Sequence, residues 1–137
     1  MTDINCRPIY KLTECGSRPL VIANTNGDGI LHGVYKRYYP NGVLMVKCNF
    51  NNGLLDGEYF GFYKNGGTKR KLIFINGELN GPATFYHLGE KIKTICYFNS
   101  NKFNGTLRTF DINGNLLISK TYNYNILESS TGIAEEA

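Results

Sequence analysis

The chain has 137 residues, a formal net charge of +4, 16 Gly, 10 Tyr, 8 Phe and no Trp. With 42% apolar and 19% charged residues, it is too apolar and aromatic for a disordered chain. No run reaches the ~18 apolar residues of a spanning helix, residues 1–5 carry no basic-then-apolar leader, and so modest a charge without a reader motif argues against nucleic acid.

Residues 1–28 read as a lead-in followed by a degenerate first repeat. Leu20 and Ile22 fall in the apolar columns of the later strands, and Pro8 and Pro19 suit an edge, where no ladder donor is needed. The stretch Asn24-Thr-Asn-Gly-Asp-Gly29 is a turn. As a calcium loop it would place Tyr35 where a bidentate acid is required.

From residue 29 to 128 the chain repeats. Gly33, Gly57, Gly81 and Gly105 lie 24 residues apart. Four residues earlier stand Gly29, Gly53, Gly77, then Asn101 and Asn125, with Leu31, Leu55, Leu79, Phe103 and Leu127 between the two columns. Aromatics keep the same period: Tyr38, Phe62, Tyr86 and Phe110, then Phe50, Phe74, Phe98 and Tyr122. A fixed period of 20–50 residues signals stacked units. Within a unit, Asn41-Gly42, Asn65-Gly66 and Asn113-Gly114 separate two alternating runs, a hairpin pattern with a type I′ turn. In the third unit the turn reads Leu88-Gly89-Glu90. Leu44, Val46, Cys48 and Phe50 point one way, Met45, Lys47 and Asn49 the other. The expected fold is all-β: an elongated, twisted antiparallel sheet of stacked ~24-residue hairpins, whose structural turns are Gly33, Gly42, Gly57, Gly66, Gly81, Gly105 and Gly114. About ten strands at ~4.8 Å make an axis on the order of 50 Å. Residues 129–137 lose the period and read as a polar tail.

Gly33-Val-Tyr-Lys-Arg-Tyr-Tyr-Pro-Asn-Gly42 and Gly57-Glu-Tyr-Phe-Gly-Phe-Tyr-Lys-Asn-Gly66 resemble MORN repeats, most closely the variant of antitoxin-like bacterial proteins and large DNA viruses. Units three and four depart from the pattern, with Ala83 and Leu107 for the first Tyr and His87 and Asp111 for the last. The resemblance implies a hairpin array and no catalytic residues. Its known uses, membrane-apposed scaffolds and partner-binding modules, do not follow from fold alone.

Little in the residues points to chemistry. His32 and His87 are isolated, no Gly-x-Ser-x-Gly, His-Glu-x-x-His or phosphate-loop motif is present, and no metal site or cofactor is expected. Cys6, Cys15, Cys48 and Cys96 lack Cys-x-x-Cys spacing. Cys48 and Cys96, two units apart, are too distant for a disulfide and read as small core residues in a reducing, cytoplasmic setting, while a Cys6–Cys15 bridge stays open. Two surfaces are candidates. Tyr35, Tyr39, Tyr59 and Tyr63 form a partner-binding aromatic surface, and Lys47, Lys69, Lys71 and Lys93 a basic stripe for an acidic partner or anionic headgroups. The expected function is a non-enzymatic protein-interaction scaffold, with copies of the chain itself among its candidate partners. One alternative is a membrane-surface adaptor. Another is a virion component of a large DNA virus, which the Asn-, Ile-, Lys- and Tyr-rich composition fits as well as it fits an AT-rich bacterium.

Overall fold

Asparagine, glycine and β-branched or aromatic residues at period two leave the backbone one stable option, and the chain takes it throughout. The computed structural model describes residues 7–12 and 19–132; residues 1–6, 13–18 and 133–137, with Cys6 and Cys15, lie outside the described residues. Fourteen strands run in order: β1 (Arg7–Leu12), β2 (Pro19–Thr25), β3 (Gly33–Tyr38), β4 (Leu44–Asn51), β5 (Leu54–Leu55), β6 (Gly57–Phe62), β7 (Thr68–Ile75), β8 (Glu78–Leu79), β9 (Gly81–His87), β10 (Lys91–Asn99), β11 (Lys102–Phe103), β12 (Gly105–Phe110), β13 (Leu116–Asn123) and β14 (Ile126–Gly132). Each pairs antiparallel with its neighbour in one sheet, with the two-residue β5, β8 and β11 branching from β4, β7 and β10. The meander is the expected hairpin array.

The turns differ from expectation in an instructive way. Type I′ turns, positive in φ at both central residues, occur between units: Asn52-Gly53 (48°, 90°), Asn76-Gly77 (49°, 83°), Ser100-Asn101 (49°, 70°) and Tyr124-Asn125 (47°, 74°). At the expected Asn-Gly sites, Gly42, Gly66 and Gly114 alone have positive φ. Those turns are longer. Gly42 N–H donates to Tyr39 O at 2.9 Å and Tyr39 N–H to Val43 O at 2.8 Å, with the Asn41 side chain accepting Val43 N–H at 2.9 Å.

Each hairpin carries a bulge at the same place. Met45, Lys69, Lys93 and Leu117 are the extra residues where register shifts between β3 and β4, β6 and β7, β9 and β10, and β12 and β13. Strict alternation therefore holds from Val46 to Phe50 and breaks at Leu44–Met45. The first unit is out of phase by one residue: Val21 and Ile22 face Arg37 and Lys36, whereas Val46 and Lys47 face Gly61 and Phe60. Thus Val21, Ala23 and Thr25, not Leu20 and Ile22, occupy the columns of Val46, Cys48 and Phe50. The cause is the turn after β2. Five residues separate the bridged pair Thr25 and Leu31, against four between Phe50 and Leu55. At the other end, residues 129–132, expected in a tail, pair with β13 as the second half of β14.

The buried apolar side chains among the described residues are Ala23, Cys48, Ala83 and Cys96, at 1–5% exposure. Register puts all four on one face, with Tyr35, Tyr59, Phe74 and Phe98 beside them. On that face, Tyr35 meets Phe50 edge-on at 5.6 Å, Tyr59 meets Phe74 at 5.8 Å, and Phe98, Phe103 and Tyr122 stack at 4.8 and 5.1 Å.

Units are also tied along both rims. On one rim, Tyr39 and Tyr63 hydroxyls donate to Phe62 O (2.6 Å) and Tyr86 O (2.7 Å), and His87 Nε2 bonds Phe110 O (2.9 Å) in the same column. On the other, backbone N–H groups of Gly53, Gly77, Asn101 and Asn125 donate to Leu31, Leu55, Leu79 and Phe103 O at 2.7–2.9 Å. The fourth member of the tyrosine column, Asp111, turns inward on its own hairpin and accepts from Asn113 and Asn115 N–H, both at 2.9 Å. Those bonds, Asn115's foremost, hold its carboxyl below the usual value.

Candidate functional surfaces

The sheet has a packed face and an open face, and the two candidate residue sets divide between them. Tyr35 and Tyr59 belong to the packed face, each half-buried against its own unit's phenylalanine. Burial is the first cause holding the Tyr59 phenol above its ordinary value; the Cys48 and Tyr35 neighbours add to it and Arg70 opposes it. Tyr39 and Tyr63 spend their hydroxyls on the next unit, as described above. The four tyrosines thus act in two pairs, one as packing and one as clasps, with Tyr39 and Tyr59 lining one cleft.

The lysines divide too. Lys47 and Lys71 lie on the open face, on either side of Phe60 in the strand between them. Lys71 Nζ sits 5.6 Å from the Phe60 ring centroid and 3.6 Å from the Glu58 carboxylate. Lys69 and Lys93, as bulge residues, line clefts on the packed face. Lys69 lies over the Tyr63 ring at 5.6 Å, and Lys93 lies beside Thr94, Cys96 and Leu107. Bulges re-aim side chains, which is why parity counted straight through them misplaces these two.

In exchange the register assembles a row that the spacing did not reveal. Across the open face, Ile22, Lys36, Lys47, Phe60, Lys71, Thr84, Ile95, Arg108, Ser119 and Thr131 stand side by side on ten successive strands. Lys36 and Arg108 are the members missed. Both keep the period with Phe60 and Thr84, a signal visible once the two strands of a hairpin are set in register. Lys36 and Lys47 face each other directly, a like-charge pairing that costs stability in a sheet. Glu58 is the acidic residue within β1–β4, β6, β7, β9, β10, β12 and β13; Asp28, Asp56, Glu90 and Asp111 sit at the rims. Glu58 thus stands beside Lys71 as the acid among the basic side chains of these strands, with Glu78 and Glu128 on β8 and β14.

His32 and His87 are structural. His32 Nδ1 accepts the Asn52 N–H at 3.0 Å, as Asp56 and Asn104 accept those of Asn76 and Tyr124 from the same column. Cys48 and Cys96 are buried free thiols, and burial pushes both up to about 11. Among the described residues no group of three or more His, Cys, Asp or Glu could hold a metal ion.

Comparison with known families meets the same unit. The family model described as the MORN repeat variant matches residues 31–52, the stretch from the start of one unit through β3 and β4. The chain contains a MORN repeat, at residues 31–52. The later units of the array repeat the matched hairpin in register, bulge position and inter-unit bonding. No curated protein matches the sequence.

Proposed function

We propose that this MORN array is a non-catalytic protein-interaction module that docks an acidic partner on its open face. The row Lys36–Lys47–Phe60–Lys71–Arg108 carries the reading. Six strand spacings make it roughly 29 Å long, and it sets cations around a central aromatic ring, the composition of a docking surface. The facing lysines Lys36 and Lys47 cost the free protein stability that a partner's carboxylates would return. The interaction role is the coarse inference that the repeat family supports; the face and the partner's charge are proposed here. The test is co-purification from the native source with mass spectrometry, comparing wild type with Lys36→Glu/Lys47→Glu/Lys71→Glu. The wild type should retain a partner that the triple variant, still folded by circular dichroism, loses. Recovery of both proteins alone would refute the reading.

A second reading, a membrane-surface adaptor, draws on the same row plus Val34 and Tyr97, both open-face and 44% and 42% exposed. Cations beside exposed apolar groups suit anionic headgroups. Co-sedimentation with phosphatidylserine vesicles that falls with salt supports it. Absence of salt-sensitive binding removes it.

A further inference from the structure

At one place on the packed face the repeat is broken in a way that stacking does not need. At the level just inside the bulge, the facing pairs are Arg37 with Val46, Phe85 with Thr94, and Thr109 with Ile118. In the second unit the pair is Gly61 with Arg70. Gly61 has ordinary backbone geometry, so no turn demands it; what it supplies is space. A Cβ there would lie 3.1 Å from Arg70 Cγ, 3.5 Å from Cδ and 3.6 Å from Nε. The arginine stem therefore lies flat across the glycine backbone.

That placement leaves a polar atom unpaid. Arg70 Nε is buried without a hydrogen-bond partner, and the ion pair formed among the described residues is that of Lys71 with Glu58 on the other face. An orphaned buried donor needs an explanation. Arg70 lines a cleft of about 180 Å³ with Tyr39, Met45, Tyr59, Phe62 and Lys69. Two cations thus border an aromatic cleft that holds no acid. Unlike the open-face row, this site is a half-open cleft on the opposite face, between the hairpin of β3 and β4 and that of β6 and β7.

We propose that the cleft over Gly61 is a carboxylate-binding site for a ligand with an apolar body. Arg70 is the fork for the carboxylate, Lys69 a second cation at the mouth, and Tyr39, Met45, Tyr59 and Phe62 contact the body. Planar, bidentate recognition of a carboxylate is what a pre-positioned guanidinium does best. The source is either a free organic acid or a glutamate side chain of a bound segment.

The test is a titration of ¹⁵N-labelled full chain followed at the Arg70 Nε–Hε resonance. Benzoate represents the free acid, and an eight-residue peptide with one central Glu represents the segment. Benzamide and the Gln peptide are the uncharged controls. A saturable shift with benzoate alone assigns a free acid, and a tighter one with the Glu peptide assigns a segment; either supports the site. Arg70→Met, which lacks that resonance and is followed at the Gly61 backbone amide instead, should weaken binding roughly ten- to hundredfold, the loss of charge-assisted hydrogen bonds. Lys69→Gln, at a half-buried bulge, should weaken it less and serves if the Met variant fails to fold. Absence of a saturable shift with both carboxylates, or equal shifts with the uncharged controls, overturns the proposal. Because the site faces away from the lysine row, partner capture by that row stands or falls separately.

Discussion

Gly53 offers a sharp test of how the units stack. Its φ is +90°, and a Cβ there would lie 2.9 Å from Ile30 Cγ2. In the same column Asn101 and Asn125 hold φ of +70° and +74°, and their side-chain oxygens accept the N–H of Leu79 and Phe103 at 2.7 Å. What differs is the residue beneath. Glycine stands over Ile30 and Leu54, asparagine over Glu78 and Lys102. A branched side chain there meets any Cβ above it. Gly53→Asn should therefore cost about 1–3 kcal/mol in overpacking and regain about 0.5–1.5 kcal/mol from a new hydrogen bond to Leu31 N–H. The backbone adds little, because asparagine tolerates the left-handed region. The net is a loss of roughly 1 kcal/mol. Ile30→Lys alone should cost under about 1 kcal/mol, since Ile30 is 43% exposed. Combined, the two changes reproduce the Lys102–Asn125 arrangement, relieve the clash and keep the hydrogen bond. The double variant should be more stable than Gly53→Asn by roughly 1 kcal/mol, a favourable coupling well outside the ~0.5 kcal/mol scatter of independent sites. Urea denaturation of the four proteins, followed by circular dichroism, measures it. An additive double variant, or a single Gly53→Asn as stable as wild type, would refute the stacking argument.

Other expectations follow from the same geometry. Tyr63→Phe removes the 2.7 Å bond to Tyr86 O and should destabilise by about 1 kcal/mol, with no change in the urea slope; an unchanged midpoint would show that the clasp is idle. Cys48 and Cys96, raised to about 11 from 9.0, should carry about a hundredfold less thiolate than a free cysteine. Their alkylation at pH 8, mapped by mass spectrometry, should be correspondingly slow until denaturant is added. Because burial raises both, their contribution to stability is full below pH 9 and lost as pH rises through about 11. Asp111 has the opposite sign. Its lowered value means that the hairpin turn keeps its bonds above the unfolded carboxyl's value and loses them as pH falls through the folded one. The Asn113 and Asn115 amide resonances should titrate with a midpoint below ~3.9, and a midpoint at or above that would contradict the bonding.

The fold was legible because its determinants are local and periodic. Gly33, Gly57, Gly81 and Gly105 announce the unit, and Asn-Gly announces the hairpin. What was misjudged came from insertions of one residue. The bulges at Lys69 and Lys93 add a residue inside a strand, and the longer turn at 26–30 adds one between strands. Each shifts parity for everything on one side of it, so the expected stripe lost two lysines, and the first unit's apolar column moved from Leu20 and Ile22 to Val21 and Ala23. The lysine row could not be seen along the chain at all. It exists across strands, between Lys36 and Lys47 or Lys47 and Phe60, and needs register to appear. Gly61 was visible as a lone interruption of the Arg37, Phe85, Thr109 column, but only the packing of Arg70 across it gives the gap a meaning.

The most direct test of the interaction account is an acetylation footprint of the array with its captured partner. Lys36, Lys47 and Lys71 should be protected on binding, while Lys64, at a turn, and Lys102, in the two-residue β11, should stay as reactive as in the free protein. Protection confined to Lys64 and Lys102, or equal reactivity at every lysine with and without the partner, would contradict it.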